Sequence, residues 1–388
     1  MSSAPRSPGR TSRIVAALSA AGLAAALAAC TTPAETASGG GGGDVPQAVA
    51  DNVAAHTGPA EASYDGPAFD VSALRGKTVW WVTQYAGNPF LASIGRNLTE
   101  ALDSVGVEVT TCDGKGNPVD ANACIQQGIA QGADAIQVDG PEPATYAESL
   151  TAAEKAGIPV LSGAAVDVTT TDLAAGLAGQ TSQPFGLTGE LAADWIVKDS
   201  GGKADVLFLT TPDVVGSVSE QEAFEARIAE TCPDCSLTVK GVTLANWAND
   251  LGTTTSSELV RNPEITYVVP AFDPMTQFTN PAIAQAGRSD LKVVTVNGNL
   301  PFLQELEKGS PIKAMVGIDL DALAWLEADQ LLRAMAGEET LSGVVAPVRI
   351  FDADNIGDLD LAAEAADDGS WYAGSGAYAD LFAGLWER

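Results

Sequence analysis

Short β-branched runs alternate with amphipathic stretches from about residue 77 onward. The first run is Thr78–Thr83, and in the stretch that follows it Leu91, Ile94, Leu98 and Leu102 recur at helical spacing. Further strand-like runs lie at Val107–Thr111, Ala135–Val138 and Gly157–Leu161, with helical stretches between them. Repeated strand–helix units predict a parallel sheet with helices on both faces.

A second series of the same kind begins near residue 187. Its strands are predicted at Ala204–Leu209, Leu237–Val242, Tyr267–Pro270 and Leu291–Val296, and a helical stretch follows each of them. Two such series predict an α/β fold with two similar doubly wound parallel-sheet lobes. Roughly 310 ordered residues also suit two lobes rather than one.

The first 29 residues have the layout of a signal peptide. Three arginines precede an apolar stretch, Ile14–Ala29, which is too short for a confident membrane span. Cys30 directly follows Leu27-Ala28-Ala29, an order that resembles the bacterial lipobox, in which the Cys becomes the lipidated N-terminus. We therefore expect an exported protein, anchored by lipid to the outer face of the cytoplasmic membrane in a Gram-positive type of envelope. An ordinary signal peptide with an accidental Cys is the alternative.

Composition predicts a tether before the folded domains and excludes two classes of binding partner. Residues 30–70 are rich in Ala, Gly, Pro, Ser and Thr and include the run Gly39–Gly43, so we expect a flexible tether there. The chain has 20 basic and 50 acidic residues, a net charge of −30. Such a charge repels nucleic acid and anionic headgroups, so neither is an expected partner.

Four cysteines follow Cys30, in two local pairs. Cys112 and Cys124 form one pair, and Cys232 and Cys235 form a C-x-x-C motif. In an exported chain such pairs predict two disulfides. A redox motif or half of a zinc site is the alternative for the second pair, but the C-x-x-C follows a helical stretch instead of opening one.

Catalytic chemistry has little support in the sequence. The single His, His56, falls in the predicted tether, and zinc would need two further ligands besides the C-x-x-C. No nucleophile elbow, phosphate-binding loop or zinc-protease motif is present. We expect no enzyme activity, no cofactor and no metal, while a hydrolase that uses carboxylates stays open as a third hypothesis.

Three short motifs give the chain a family resemblance. Asn88-Pro89-Phe90 after the first strand, Asn117-Pro118 after the second and 157–160 (Gly-Ile-Pro-Val) before the fourth resemble ribose-type periplasmic binding proteins. These are the type I solute-binding proteins of ABC sugar importers, and the resemblance covers about residues 75–345. It implies two lobes that close over a ligand about three hinge strands.

The resemblance also implies boundaries for the lobes. The N-terminal lobe would contain residues 71–182 and 319–346, and the C-terminal lobe residues 183–318 and 347–388. The chain would cross between the lobes near Thr181–Pro184, Ile318–Leu320 and Val345–Pro347.

The ligand-binding residues that the resemblance implies follow the carboxyl ends of strands, where parallel α/β lobes bind ligands. In the N-terminal lobe these residues are Gln84, Tyr85, Asn88, Phe90 and Asp139. In the C-terminal lobe they are Trp247, Phe272, Asp273 and Asn297. A purely structural role is the alternative for each: Asn88 as a helix cap with Pro89 at the first position, and Trp247 in local packing.

Two segments depart from the pattern of sugar binders. The family usually has Asp-Arg after the fourth strand and an Arg early in the helix after the sixth, but here 162–165 reads Ser-Gly-Ala-Ala and 216–220 reads Gly-Ser-Val-Ser-Glu. Without two guanidinium groups the pocket is less cationic, so an anionic ligand is disfavoured. A neutral sugar or polyol is expected, and an aromatic or other less polar compound stays open.

These observations predict a solute-binding lipoprotein. We expect it to act as a monomer, to capture a small ligand between its lobes and to deliver it to an ABC permease with its ATPase. The alternative from another class is a ligand-sensing protein that presents its closed form to a membrane receptor.

Overall fold

Two six-stranded sheets organise the part of the chain that is described in the computed structural model, namely residues 45–362, 365 and 368–387. Each sheet belongs to one lobe of an α/β fold, so the predicted fold class is confirmed. The expected signal peptide, Cys30 and the run Gly39–Gly43 lie outside the described residues. Among the described helices, none is long and apolar enough to cross a membrane.

The sheet of the first lobe is entirely parallel, in the order β12-β6-β5-β4-β2-β3. Its strands are β2 (Thr78–Thr83), β3 (Glu108–Asp113), β4 (Ala135–Asp139), β5 (Val160–Gly163), β6 (Gly179–Ser182) and β12 (Val344–Val345). Its helices are α2 (Pro89–Asp103), α3 (Pro118–Gln131), α4 (Ala147–Ala156) and α10 (Leu320–Ala336).

The sheet of the second lobe has the order β13-β11-β10-β9-β7-β8, with only the edge strand β13 antiparallel to its neighbour. Its strands are β7 (Asp205–Thr210), β8 (Ser236–Gly241), β9 (Tyr267–Pro270), β10 (Lys292–Asn297), β11 (Ile312–Ile318) and β13 (Val348–Asp352). Its helices are α5 (Phe185–Ser200), α6 (Val215–Thr231), α7 (Trp247–Arg261), α8 (Thr276–Gln285) and α9 (Leu300–Glu307).

Side-chain caps start the helices that face the gap between the lobes. The Asn88 side chain accepts a hydrogen bond from the Phe90 amide at the start of α2, and Asn117 accepts one from the Asp120 amide at the start of α3. Proline at the first position of each helix fixes the backbone without losing a needed N–H. The two Asn-Pro motifs therefore have the capping role that the sequence allows.

The segment before the first lobe differs from the expected tether. Gln47–Thr57 forms a helix, α1, which packs on α5 and β13 of the second lobe. Its Val49 and Val53 are fully buried, and Asn52 donates to Asp194 at 2.7 Å. The composition of this segment resembles that of a linker. Val49 and Val53, four positions apart, nevertheless form one apolar face of a helix, and this face is buried only when α1 packs on the second lobe.

The end of the chain also differs from the predicted lobe boundary. β13 belongs to the second lobe, but α11 (Ala377–Leu385) packs on α10 of the first lobe, and β14 (Trp386–Glu387) pairs with β1 (Phe69–Asp70). Phe382 and Trp386 stack on Trp325, with ring centroids 6.2 and 5.5 Å from that indole. Residues 377–387 thus return to the first lobe because these aromatic rings bury their surface there.

Both predicted cysteine pairs are bonded in the structure. The bond between Cys112 and Cys124 joins the end region of β3 to α3, and the bond between Cys232 and Cys235 closes the turn between α6 and β8.

Trp386 supplies a test of how far the fold depends on its last residues. Its indole is 2% exposed and donates to Asp329 at 2.9 Å. We expect Trp386→Ala to lower the free energy of unfolding by about 3–5 kcal/mol, because the cavity and the lost hydrogen bond add. Urea unfolding followed by circular dichroism measures this change. Leu173→Ala, at a half-exposed position, is the control, and an equal loss in both variants would contradict the expectation.

Candidate ligand-binding site

The three crossings between the lobes lie side by side. The amide of Ala346 donates to the Ser182 carbonyl, and the amide of Asp319 donates to the Pro347 carbonyl, both at 3.0 Å. The segment after β6, the segment after β11 and the segment between β12 and β13 are therefore in direct contact. Such a set of short adjacent segments is the geometry of a hinge.

The larger cavity between the lobes measures about 360 Å³ and lies beside this hinge. The start of α2, the start of α10, the loop before α9 and four residues of the C-terminal segment (Ala365, Gly369, Trp371 and Tyr372) all contribute to it. Its lining residues are Pro89, Ser93, Arg96, Gly298, Asn299, Leu300, Pro301, Ile318, Asp319, Leu320, Asp321, Ala365, Gly369, Trp371 and Tyr372. Its volume suits a small-molecule ligand.

A smaller cavity of about 100 Å³ lies at another part of the same gap. Gln84 and Gly140 line it from strand ends of the first lobe, and Asp213–Val215 lines it from the second. Both cavities thus have walls from both lobes.

The predicted residues of the first lobe occupy different environments. Gln84 lines the smaller cavity, and Tyr85 is 52% exposed beside it in sequence. Asn88 caps α2, and Phe90 is buried in the hydrophobic core. Asp139 is fully buried, where its carboxylate accepts from the Trp81 indole. In this conformation, then, Gln84 alone of these five lines either cavity.

The predicted residues of the second lobe lie closer together. The rings of Trp247 and Phe272 are 6.4 Å apart, and the Trp247 indole donates to the Thr211 hydroxyl at 3.1 Å. Asp273 is fully buried and accepts from both the amide and the side chain of Asn299, a residue of the larger cavity. Burial raises the pKa of Asp273 to about 8. Its visible role is to hold the loop that forms one cavity wall.

Asn297 ends β10 in a strained backbone conformation, with a φ of 108°. Gly298 follows with a φ of 83°, so two consecutive residues turn the chain sharply at the strand end. A non-glycine residue in such a conformation costs of the order of 1–3 kcal/mol and is often found at functional sites. The turn places Gly298 and Asn299 in the wall of the larger cavity.

Sequence reasoning missed most of the lining of the larger cavity. Trp371 and Tyr372 come from a segment beyond the region of family resemblance, and Asp319 was predicted only as part of the hinge. Arg96 also lines the cavity, although no basic residue was expected there; it already has an interaction partner. An aromatic pair in the turn-rich sequence Gly369-Ser370-Trp371-Tyr372 is the signal that could have identified the C-terminal contribution.

Behind the first-lobe wall lies a buried pair of carboxyl groups. Asp139 and Glu327 are fully buried and both point at Gly163, where an added Cβ would collide with an oxygen of each. Gln137 donates to Asp139 at 2.7 Å. Burial raises the pKa of Asp139 to about 6, and burial followed by the nearby Asp139 charge raises that of Glu327 well above its usual value. Burial thus favours the protonated forms of both carboxyl groups in the folded protein.

Metal binding has no visible site in the described part of the chain, since no group of three or more His, Cys, Asp and Glu residues could hold an ion there. The arrangement instead offers hydrogen-bonding groups and aromatic rings around a partly open cavity. Such a site can bind a small molecule.

The chain belongs to the family of the periplasmic binding protein domain, whose model matches residues 79–339. This is the family of extracytoplasmic solute-binding proteins of ABC importers, and its members are not enzymes. The ribose-type resemblance predicted from sequence is thereby confirmed. Among curated proteins, none matches this chain.

Solved structures of ABC transporter solute-binding proteins share the fold at low identity. One from Agrobacterium vitis with bound allitol is 20% identical, with a TM-score of 0.66 over 74% of this chain and 98% of that one. One from Mycobacterium smegmatis with bound glycerol is 20% identical, with a TM-score of 0.65 over 73% and 96%. A 5-methylthioribose binding protein from Thermotoga lettingae is 20% identical, with a TM-score of 0.64 over 73% and 89%.

The buried pair predicts a pH dependence of stability. Because the folded state holds protons that the unfolded chain releases above about pH 4, stability falls as pH rises through the folded pKa values. Glu327→Gln removes one of these protons, so its free energy of unfolding should fall less between pH 5 and 8, by up to about 1.4 kcal/mol per pH unit. Urea unfolding at several pH values measures this difference, and parallel curves for the two proteins would refute it.

Proposed function

We propose that this protein captures a neutral sugar or polyol between its lobes and delivers it to an ABC permease. The observation that carries the proposal is the cavity of about 360 Å³ at the hinge, to which both lobes contribute. Its aromatic rings and its Asn and Asp side chains are the groups that bind sugars in proteins, the rings through the sugar face and the polar groups through the hydroxyls.

Neighbouring proteins support a polyhydroxylated ligand. The structural neighbours with bound allitol, glycerol and 5-methylthioribose carry ligands that share hydroxyl groups and lack charge. In this chain Asp319 and Asp321 line the larger cavity, and its one basic residue, Arg96, is already engaged. A neutral ligand avoids both repulsion by the carboxylates and the cost of burying an unpaired charge.

Anchoring and delivery follow from the sequence and the family. The Leu27–Cys30 motif supports a lipid at Cys30, and residues between Cys30 and α1 would keep the binding domain near the membrane. The family supports a permease and its ATPase as partners. Closure of the lobes on the ligand would give the permease a surface that differs from that of the free protein.

A thermal-shift screen of the purified protein tests the ligand class. We expect at least one neutral hexose, pentose or polyol to raise the melting temperature, because a ligand at 100 times its dissociation constant adds about 2.7 kcal/mol of stability. Phosphate and benzoate are the charged and aromatic comparisons. Stabilisation by these alone would contradict the proposal.

Trp247 tests which part of the gap between the lobes holds the ligand, because the family resemblance implies it as a contact but its side chain lines neither cavity. With the ligand in the larger cavity, we expect Trp247→Ala to leave the ligand-induced shift of the best neutral binder unchanged, because no ring that packs on the ligand is lost. Val260→Ala, at an 81%-exposed position of the same helix, is the control for general effects on stability. A loss of affinity of about tenfold in Trp247→Ala alone would place the ligand beside Trp247 and outside the larger cavity.

A further inference from the structure

The larger cavity has a wall that comes from outside the family-matched region, which ends at residue 339. Trp371 and Tyr372 are 4% and 6% exposed and belong to this wall. The Trp371 indole donates to the Asp360 carbonyl at 2.8 Å, and its own carbonyl accepts from Arg349 at 2.6 Å. The wall is therefore a fixed part of the second lobe.

The Tyr372 hydroxyl lies beside strand ends of the second lobe. A Cβ added at Gly317 would be 2.6 Å from this oxygen, and one added at Gly298 would be 3.0 Å from it. The two glycines thus leave the space that the hydroxyl occupies. The ring itself packs edge-on against Phe351, with centroids 5.5 Å apart. This position, at the carboxyl ends of β10 and β11, is where parallel α/β lobes bind ligands.

Asp319 lines the same cavity and has a carboxylate oxygen without a protein partner among the described residues. Its side chain is fully buried; Oδ1 accepts from the Ala322 amide, but Oδ2 has no hydrogen-bond partner among the described residues. Two other buried carboxylates are fully engaged: Asp273 accepts twice from Asn299, and Asp329 accepts from Arg333 and Trp386. A buried oxygen left unpaired costs about 1–3 kcal/mol, so Asp319 has a missing donor.

We propose that the ligand binds in the larger cavity against Asp319, Trp371 and Tyr372, and that a hydroxyl of a neutral polyhydroxylated ligand hydrogen-bonds to Asp319 Oδ2. The inference rests on the proposed function and adds the C-terminal segment to its site. Oδ2 is closed to water in this conformation, so the lobes separate before the ligand reaches it. Asp319 itself lies on a hinge crossing, through the bond of its amide to Pro347.

The state of Asp319 favours a hydroxyl over a charged group. Burial raises the pKa of this carboxyl to about 8, so protonated and ionised forms both occur near neutral pH. A hydroxyl can donate to the ionised form and accept from the protonated form, whereas an ammonium group can only donate. An anionic ligand would face both Asp319 and Asp321 in the cavity wall.

Calorimetric titration of the intact protein with allitol, D-allose, D-glucose and D-glucosamine tests the inference. We expect Asp319→Asn to weaken binding of the best neutral probe by about tenfold, since the carboxyl can both accept and donate at Oδ2 and a fixed amide group cannot replace it in both roles. Tyr372→Phe should weaken it by about fivefold. D-glucosamine should bind no more tightly than D-glucose. Asp380→Asn, at an exposed position of α11, is the matched control and should bind like the wild type.

Two measurements distinguish this inference from the proposed function. Binding of a neutral probe by the wild type tests the proposed function, and the affinities of the variants test whether Asp319 and Tyr372 contact the ligand. Equal affinity of the wild type, Asp319→Asn and Tyr372→Phe would overturn the inference while leaving the function intact, and tighter binding of D-glucosamine would overturn the ligand class. If Asp319→Asn fails to fold, the inference is tested by the affinity of Tyr372→Phe together with amide hydrogen exchange of the wild type. We expect ligand to protect the amides of residues 369–373, and unchanged exchange there with unchanged Tyr372→Phe affinity would overturn the inference.

Discussion

Asp319 joins three requirements of this fold at one residue. Its amide ties the second crossing between the lobes to the third and its Oδ1 accepts from the first turn of α10. Its buried Oδ2 has no partner among the described residues, and the residue lines the larger cavity. Because α10 is the central helix of the first lobe, any change at its first turn affects both the lobe and the hinge. A ligand that supplied the missing donor would therefore act on the element that connects the lobes, which is where a binding event can favour closure.

The two ends of the described chain add connections that the three hinge segments do not provide. α1 is fixed on the second lobe, and Tyr64 next contacts Phe382 on the first, with rings 5.1 Å apart. The C-terminal segment also passes from the second lobe to the first, from β13 to β14. About six residues between α1 and Tyr64 reach at most about 20 Å. Lobe separation is thus limited by short linkers as well as by the hinge.

Patterns local in the sequence were predicted well, and contacts made by distant segments were not. The alternating pattern predicts the strands and helices of both sheets, and Asn88 caps α2, the structural role that the sequence left open for it, because such signals act within a few residues. The composition of residues 30–70 predicts a tether where the structure has α1, because its two buried valines form an apolar face that is recognisable only against α5. Asp139 follows a strand end, which suggests a ligand contact, but the direction of its side chain depends on Trp81 and Glu327. The cavity wall at Trp371 depends on the fold of the last residues, which no local pattern specifies.

The buried carboxyl groups differ in whether the protein supplies hydrogen-bond donors for them. An acidic chain of net charge −30 still buries Asp139, Asp273, Asp319 and Asp329 completely. Where the carboxylate holds the structure together, as at Asp329, the protein supplies a guanidinium and an indole as donors. At Asp319 Oδ2 the hydrogen-bond partner is missing among the described residues, and the unpaired buried oxygen lowers the stability of the folded protein. If stability alone were selected, a neutral side chain would be expected at this position. A group that weakens the free protein, yet lines a cavity at the hinge, is best explained by a partner that arrives from outside.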